Sequence, residues 1–178
     1  MAVHASALLV PFLAEATSKS TVLTAFIAVT ALYLVSEALR LKGGRLPFIT
    51  EFTLKMRRDD ERTHFIARPV YLAAGVILSL LLFPKSVAYA SITIVAVGDP
   101  VASYFGQRFG RTRVGGKTLE GFAAGSIVSF AGALLWIYPN LALIGSVAGM
   151  LLEFLGIPDD NLTMPIGAGS AMVIACIL

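Results

Sequence analysis

The residues best suited to chemistry are acidic groups placed where so apolar a chain should not hold them. Asp99 lies in Val95-Ala-Val-Gly-Asp-Pro-Val-Ala102, inside an otherwise apolar run. A charge at the centre of a bilayer costs roughly 2.5–3.5 kcal/mol on insertion scales, so an intramembrane carboxylate calls for a function or a partner. Other acids stand at the edges of other apolar runs: Glu37 (with Arg40), Glu120, Glu153, Asp159 and Asp160. Carboxylates that converge suit a hard cation such as Mg2+, which one or two carboxylates commonly hold together with substrate phosphates. A second group is the stretch Gly106-Gln-Arg-Phe-Gly-Arg-Thr-Arg-Val-Gly-Gly-Lys-Thr-Leu-Glu-Gly121. Arg108, Arg111, Arg113 and Lys117 supply positive charge there. Gly106, Gly110, Gly115 and Gly116 let backbone approach a ligand closely. Lys117 and Thr118 fall where the next helix should begin, and free N–H groups at a helix N-terminus favour an anion.

This stretch is not a Walker A loop. The pattern G-x-x-x-x-G-K-[ST] needs glycine at position 111, which is arginine, and no buried strand precedes it. Two blander readings stand beside phosphate chemistry. Asp99 could form a structural ion pair with Arg40 or Arg68, and the basic stretch could anchor lipid headgroups.

The elements that must position these residues are membrane helices. Of 178 residues 57% are hydrophobic and 14% charged, with mean hydropathy +0.81. Soluble domains run nearer 45–50% apolar and about 25% charged, so a soluble domain, a disordered chain and a disulfide scaffold are all poor fits. The net charge of +3 is too small to argue for nucleic acid. Cys176, the single cysteine, reads as a buried inert thiol. Ala5–Ala14 is apolar without a preceding basic residue, so no cleavable signal peptide is expected.

A spanning helix needs about 20 mostly apolar residues. Thr21–Leu41 and Phe122–Tyr138 (or Leu119–Tyr138) qualify. Ser86–Gly106 has the length but carries Asp99 and Pro100, and the expectation is a helix broken there. Pro69–Phe83, Leu141–Leu155, Pro165–Leu178 and Val3–Ala14 are shorter. The expected fold is an all-α polytopic bundle of about seven membrane segments in a single domain over residues 1–178. Lys42–Arg68 and Gln107–Lys117 hold most of the basic residues, while the alternate connections hold only Lys19 and Lys85. The positive-inside rule puts the two basic loops, and with them the acidic edges, at the cytoplasmic leaflet. Within 42–68, Leu46, Phe48, Ile49 and Phe52 have roughly helical spacing, which reads either as an amphipathic segment on the membrane surface or as an ordinary capped loop. Gly121–Gly125 and Gly145–Gly149 have the small-xxx-small spacing of close helix packing in lipid. The sequon Asn161-Leu-Thr163 lies on the expected cytoplasmic side and should be unmodified.

The chain resembles the CTP-dependent polyprenol kinases: dolichol kinase, with phytol kinase and CTP-dependent diacylglycerol kinase as relatives. Ser36-Glu-Ala-Leu-Arg40, Gly98-Asp-Pro-Val-Ala-Ser-Tyr-Phe-Gly106, Arg108-Phe-Gly-Arg111, Gly116-Lys-Thr-Leu-Glu-Gly121, Glu153, Asp160-Asn161 and Pro165 carry the resemblance across most of the chain. Two positions depart from the family pattern. His4 follows Met1-Ala2-Val3 where a basic pair is usual, and Gly116 replaces the first of two lysines.

The resemblance implies a multi-pass membrane enzyme that moves the γ-phosphate of CTP to an isoprenoid alcohol with Mg2+. Asp99, Lys117 and Glu120 would be catalytic. Asp99, Glu120, Glu153 and Asp160 would hold the metal. Gly106, Arg108, Gly110, Arg111, Arg113, Gly115, Gly116, Lys117, Thr118, Asp160 and Asn161 would bind the nucleotide, and Glu37, Arg40, Pro100 and Ser103 would lie toward the lipid. The membrane would be the cell membrane in a prokaryote and the endoplasmic reticulum in a eukaryote. The oligomeric state stays open, a homodimer included. Alternatives are a kinase for diacylglycerol, phytol or geranylgeraniol, a cytidylyltransferase for lipid phosphates, and a small ion-coupled transporter. The last is disfavoured because no internal repeat is visible and the charges gather at one leaflet.

Overall fold

A computed structural model describes residues 2–56, 64–157 and 159–177. Arg57, Arg58, Arg62 and Pro158 lie outside them. Among the described residues the chain is all-helical apart from one short hairpin: α1 (Ala2–Ala16), α2 (Lys19–Leu41), α3 (Ile49–Met56), α4 (Arg68–Leu82), α5 (Lys85–Phe109), β1 (Arg113–Val114), β2 (Lys117–Thr118), α6 (Leu119–Ala133), α7 (Pro139–Phe154) and α8 (Asp160–Ile177). Three helices, α2, α5 and α8, are long and apolar enough to cross a membrane. The other apolar helices are shorter; the 15 residues of α4 reach about 22 Å at 1.5 Å per residue, against a hydrocarbon core of about 30 Å.

α5 is the axis of the bundle. Every residue from Val87 to Ala96 on it is buried, and α1, α4, α6, α7 and α8 all pack on it. Apolar side chains all round a helix are the mark of a buried one. The helix runs unbroken through Gly98-Asp99-Pro100, against the sequence expectation. Proline at this point forfeits one backbone hydrogen bond, a loss that tight packing on several sides can absorb. α2, by contrast, is peripheral and buries only Val22, Ser36 and Glu37.

Small residues set the spacing between helices, as the sequence predicts. A Cβ at Gly121 would stand 2.6 Å from the Ala102 carbonyl oxygen, so α6 lies backbone-to-backbone on α5. Gly125 and Gly149 likewise lie against α5 and Gly145 against Met172 of α8, the close contact that small-xxx-small spacing allows in lipid. Buried hydroxyls find partners across these contacts. Ser129 donates to the Ile94 carbonyl at 3.2 Å, and the Trp136 indole donates to Thr93 Oγ1 at 2.9 Å. Cys176 is exposed rather than buried, because the last turns of α8 reach past the packed core with Ile174 and Ile177 also outward.

Candidate functional site

The charged residues meet at one end of the bundle, where the amino ends of α1, α6 and α8 face the carboxyl-terminal halves of α5 and α7. Asp99, Glu153 and Asp160 come from α5, α7 and α8, and one carboxylate oxygen of each lies within 4.8 Å of the others. At an effective dielectric of about 20, two unit charges 4.8 Å apart repel by about 3.5 kcal/mol. Such a group persists only beside positive charge. Lys117 supplies part of it: its ammonium donates to Glu153 Oε1 and stands 3.5 Å from Asp160 Oδ2. Burial alone would pull the Lys117 pKa down, but the hydrogen bond with Glu153 and the charges of Glu153, Asp160 and Asp99 outweigh it and hold the pKa above the usual lysine value.

The hairpin aims that lysine. Arg113 pairs with Thr118 and Val114 with Lys117 across a Gly115-Gly116 turn. Gly115 has φ of +60°, the left-handed conformation that two-residue hairpin turns require and that glycine takes without strain. Thr118 then caps α6, its Oγ1 accepting the Gly121 N–H at 3.1 Å. The Val-Gly-Gly-Lys spacing is itself a hairpin signal, so the strands were open to sequence reasoning that read this stretch only as a loop.

His4 is the residue that sequence reasoning left without a role. Its Nε2 lies 2.7 Å from Asn161 Oδ1 and 3.1 Å from Asp99 Oδ2. Both neighbours are acceptors, so Nε2 carries the proton and donates. His4 thereby ties α1 to α5 and α8 at the edge of the carboxylate group. Ser103, one turn beyond Asp99, adds a 3.4 Å contact from its hydroxyl to Asp99 Oδ1. Asp99 is therefore paired with His4 and Ser103, and Arg40 with Glu37.

Two cavities meet here. A small one of about 200 Å³ lies under the hairpin, lined by Gly106, Gln107, Arg113, Gly116, Lys117, Thr118 and Glu153 among others. A larger one of about 990 Å³ extends from Asp99, Asp160 and Asn161 past Pro100 and Ser103 to the mostly apolar Tyr33, Ile49, Phe52, Ile66, Pro69 and Leu72. Ser103, Gln107, Gly116 and Lys117 border both.

Several expected site residues fall elsewhere. Glu120 does not join the carboxylate group; its oxygens accept the Thr112 N–H at 3.1 and 3.2 Å and close the base of the hairpin. That N–H lies within reach of the first turn of α6, where the side chain must point. Arg108, Gly110, Arg111 and Gly115 border neither cavity, and Arg108 lies over the Phe109 ring instead. Glu37 and Arg40 stand one layer behind the larger cavity. Glu37 is 1% exposed, binds the Arg40 guanidinium at 2.6 and 2.7 Å, and accepts the Ile66 N–H at 2.8 Å. Arg40 also donates to the His64 carbonyl at 2.6 Å, and Tyr33 to the Ile66 carbonyl at 2.8 Å. These bonds pin residues 64–66 to the end of α2 and so form the wall that Tyr33 and Ile66 present to the cavity. Asn161 is held by His4 and is 8% exposed, a poor position for the sequon to be modified.

No family model and no solved structure matches the chain. An uncharacterized protein of Rickettsia prowazekii (strain Madrid E) is similar to it, 23% identical over 92% of this chain and 86% of its own length.

Proposed function

We propose that the protein is a membrane-embedded lipid kinase that transfers the γ-phosphate of CTP to the hydroxyl of a polyprenol- or dolichol-type alcohol. One observation carries the reading: Lys117 and the Asp99–Glu153–Asp160 carboxylates lie where a small polar cavity meets a larger one that is polar beside Asp99 and Asp160 and gains an apolar wall at Ile49, Phe52, Ile66 and Leu72. A phosphoryl donor and a lipid acceptor have to meet in such an arrangement, the first polyanionic and the second mostly hydrocarbon. The choice of CTP and of an isoprenoid alcohol rests on the family resemblance.

Phosphoryl transfer asks mainly for positioning and for neutralisation of phosphate charge. The donor set of three carboxylates is all-oxygen and only partly neutralised by Lys117, which fits Mg2+. Bound there, Mg2+ would neutralise charge on the donor phosphates. Lys117 and Arg113, both on the wall of the small cavity, hold the phosphates. The acceptor hydroxyl enters from the larger cavity, and its oxygen forms the new bond to the γ-phosphorus as the bond to the β,γ-bridging oxygen breaks. CDP leaves, and Asp99 takes the hydroxyl proton. His4 and Ser103 orient Asp99 by their hydrogen bonds. Glu120 takes no part in this scheme.

In the same reading α1, α2 and α4 to α8 are all membrane segments, seven in number, with the site at the cytoplasmic leaflet as the basic loops require. The test is a panel of nucleotides with lipid alcohols and lipid phosphates on purified protein, with Mg2+ supplied or chelated. The expected products from γ-labelled CTP are labelled lipid phosphate and CDP. Pyrophosphate with a CDP-lipid would assign the protein to the cytidylyltransferases, and no labelled lipid from any alcohol would refute the proposal.

A further inference from the structure

We infer that α3 and the residue before it, Phe48, form an interfacial wedge seated in an anionic membrane leaflet, and that α3 is the bilayer-side wall of the larger cavity.

Seven residues, 42–48, join α3 to α2, a helix apolar and long enough to span the membrane, so the connection holds it near the level of that boundary. It is fastened there by polar bonds to α2 and within its own turn. Ser36 and Thr50 hydroxyls lie 3.3 Å apart in a buried contact, and Thr50 Oγ1 accepts the Leu46 N–H at 2.9 Å. Thr50 and Thr53 are buried, so the short helix turns its hydroxyl-bearing face inward. The aromatic residues point the other way: Phe48 is 84% exposed and Phe52 57% exposed. That inverts the arrangement expected in water.

Phe48 has φ of +67°, a left-handed backbone that bulky side chains rarely adopt. Such strain persists where the surroundings impose it, and here it thrusts a ring outward. The exposed Lys42, Arg45 and Lys55 flank the two rings, and none makes an ion pair among the described residues. Apolar rings bordered by exposed cations are the composition that seats a helix at an anionic lipid surface. Continuity with the cavity ties this surface to the site, because Ile49, Phe52 and Thr53 line it. A lipid alcohol whose hydroxyl reaches Asp99 would thus pass beside Phe52. This last step rests on the kinase reading; the seating of α3 in the leaflet does not.

The experiment separates the two. Spin labels at Phe48→Cys, Phe52→Cys and Glu51→Cys, each in a Cys176→Ser background, are compared in vesicles for accessibility to oxygen and to an aqueous nickel chelate. Labels at 48 and 52 should favour oxygen, the label at 51 should favour nickel, and the contrast should be larger in vesicles containing phosphatidylglycerol than in purely zwitterionic ones. Equal nickel accessibility at all three positions overturns the wedge, and equal depth in both vesicle types overturns its electrostatic half. For the acceptor path, Phe52→Ala removes the ring that borders the cavity. It should lower transfer to a long polyprenol in vesicles by about fivefold, in keeping with the loss of one part-buried aromatic side chain. Transfer to geraniol in detergent should fall by a smaller factor. An equal rate on the long alcohol overturns the path. If no alcohol is phosphorylated by the parent protein, the kinase reading fails while the spin-label result still decides the wedge.

Discussion

Replacing Lys117 with methionine should separate metal binding from phosphoryl transfer in opposite directions. Methionine keeps the length and much of the apolar volume of the lysine stem while removing the charge. The ammonium touches Glu153 and lies 3.5 Å from Asp160, with the lysine side chain 30% exposed. At an effective dielectric of about 20, attraction at 3.5 Å is about 5 kcal/mol before desolvation and screening. Breaking a buried pair by removing one partner costs about 3–5 kcal/mol, and the part-exposed lysine argues for the lower end, about 3 kcal/mol. In EDTA the variant should therefore melt well below the parent. An ammonium and a divalent cation compete for the same oxygens, so losing one should favour the other. Binding of Mn2+, followed by electron paramagnetic resonance, should tighten by tenfold or more, equivalent to about 1.4 kcal/mol. Transfer from CTP should nonetheless fall at least about 1,000-fold, since a phosphate clamp acting in the transition state is lost. The pH dependence has a definite sign. A folded pKa above the unfolded value of 10.5 means that the Lys117 contribution is complete below 10.5 and is lost only as pH rises through the folded value. The gap between parent and variant should then be constant from about pH 6 to 9, apart from other titrating groups. Weaker Mn2+ binding in the variant, or an unchanged melting temperature in EDTA, would refute the reasoning.

Three further substitutions probe separate parts of the arrangement. Asp99→Asn keeps an acceptor for His4 but cannot take a proton, so transfer should vanish while the detergent-solubilised protein elutes and melts as folded; near-normal turnover would reject its assignment. Glu120→Gln should change the CTP transfer rate less than about threefold, because its oxygens serve the Thr112 N–H and a glutamine oxygen can do the same; a loss as large as that of Asp99→Asn would place Glu120 in the chemistry after all. Gly121→Val sets a branched side chain against the Ala102 carbonyl, where even a Cβ would stand 2.6 Å away, and overpacking of this kind costs about 1–3 kcal/mol. Its melting temperature should drop, and with α6 pushed from α5 the hairpin should lose its aim, which nucleotide protection of Lys117 from amine labelling would report.

Much of the fold could be read from the sequence because hydropathy is a local property. Thr21–Leu41 matches α2 to within two residues at its start, and Ser86–Gly106 lies inside α5. Boundaries moved where proline was given too much weight. Pro11, Pro100 and Pro165 all lie within helices, since a helix packed on several sides tolerates the loss of one hydrogen bond. Number and depth of the spans were less legible. Among the described residues three helices have the length and composition to cross unaided, and whether 15 or 16 residues reach across depends on neighbours and lipid rather than on the residues themselves.

The site divides along the same line between local and long-range information. Asp99, Glu153 and Asp160 could be nominated because a charge in or beside an apolar run is anomalous wherever the chain later goes. Their convergence is long-range, and the sequence argued it only through topology: if helices alternate, ends of one sign share a leaflet. The same reasoning swept in Glu120, which stands at the same end of the bundle but accepts the Thr112 N–H instead of joining the other carboxylates. It also put Glu37 and Arg40 on the lipid-substrate side; their mutual bidentate pair and the Ile66 N–H make them the fastening behind the wall of the larger cavity. His4 shows the limit most clearly. One histidine near an apolar segment has no spacing relation to anything, and its 157-residue separation from Asn161 is invisible to any periodic pattern. Its position becomes meaningful only because α1 packs on α5, whose burial on all sides forces the first helix to find a face there. A carboxylate that α7 and α8 must leave room for, and that α1 must reach with a histidine ring, is a constraint on assembly as much as on chemistry. His4→Ala should accordingly impair the seating of α1 as well as the orientation of Asp99.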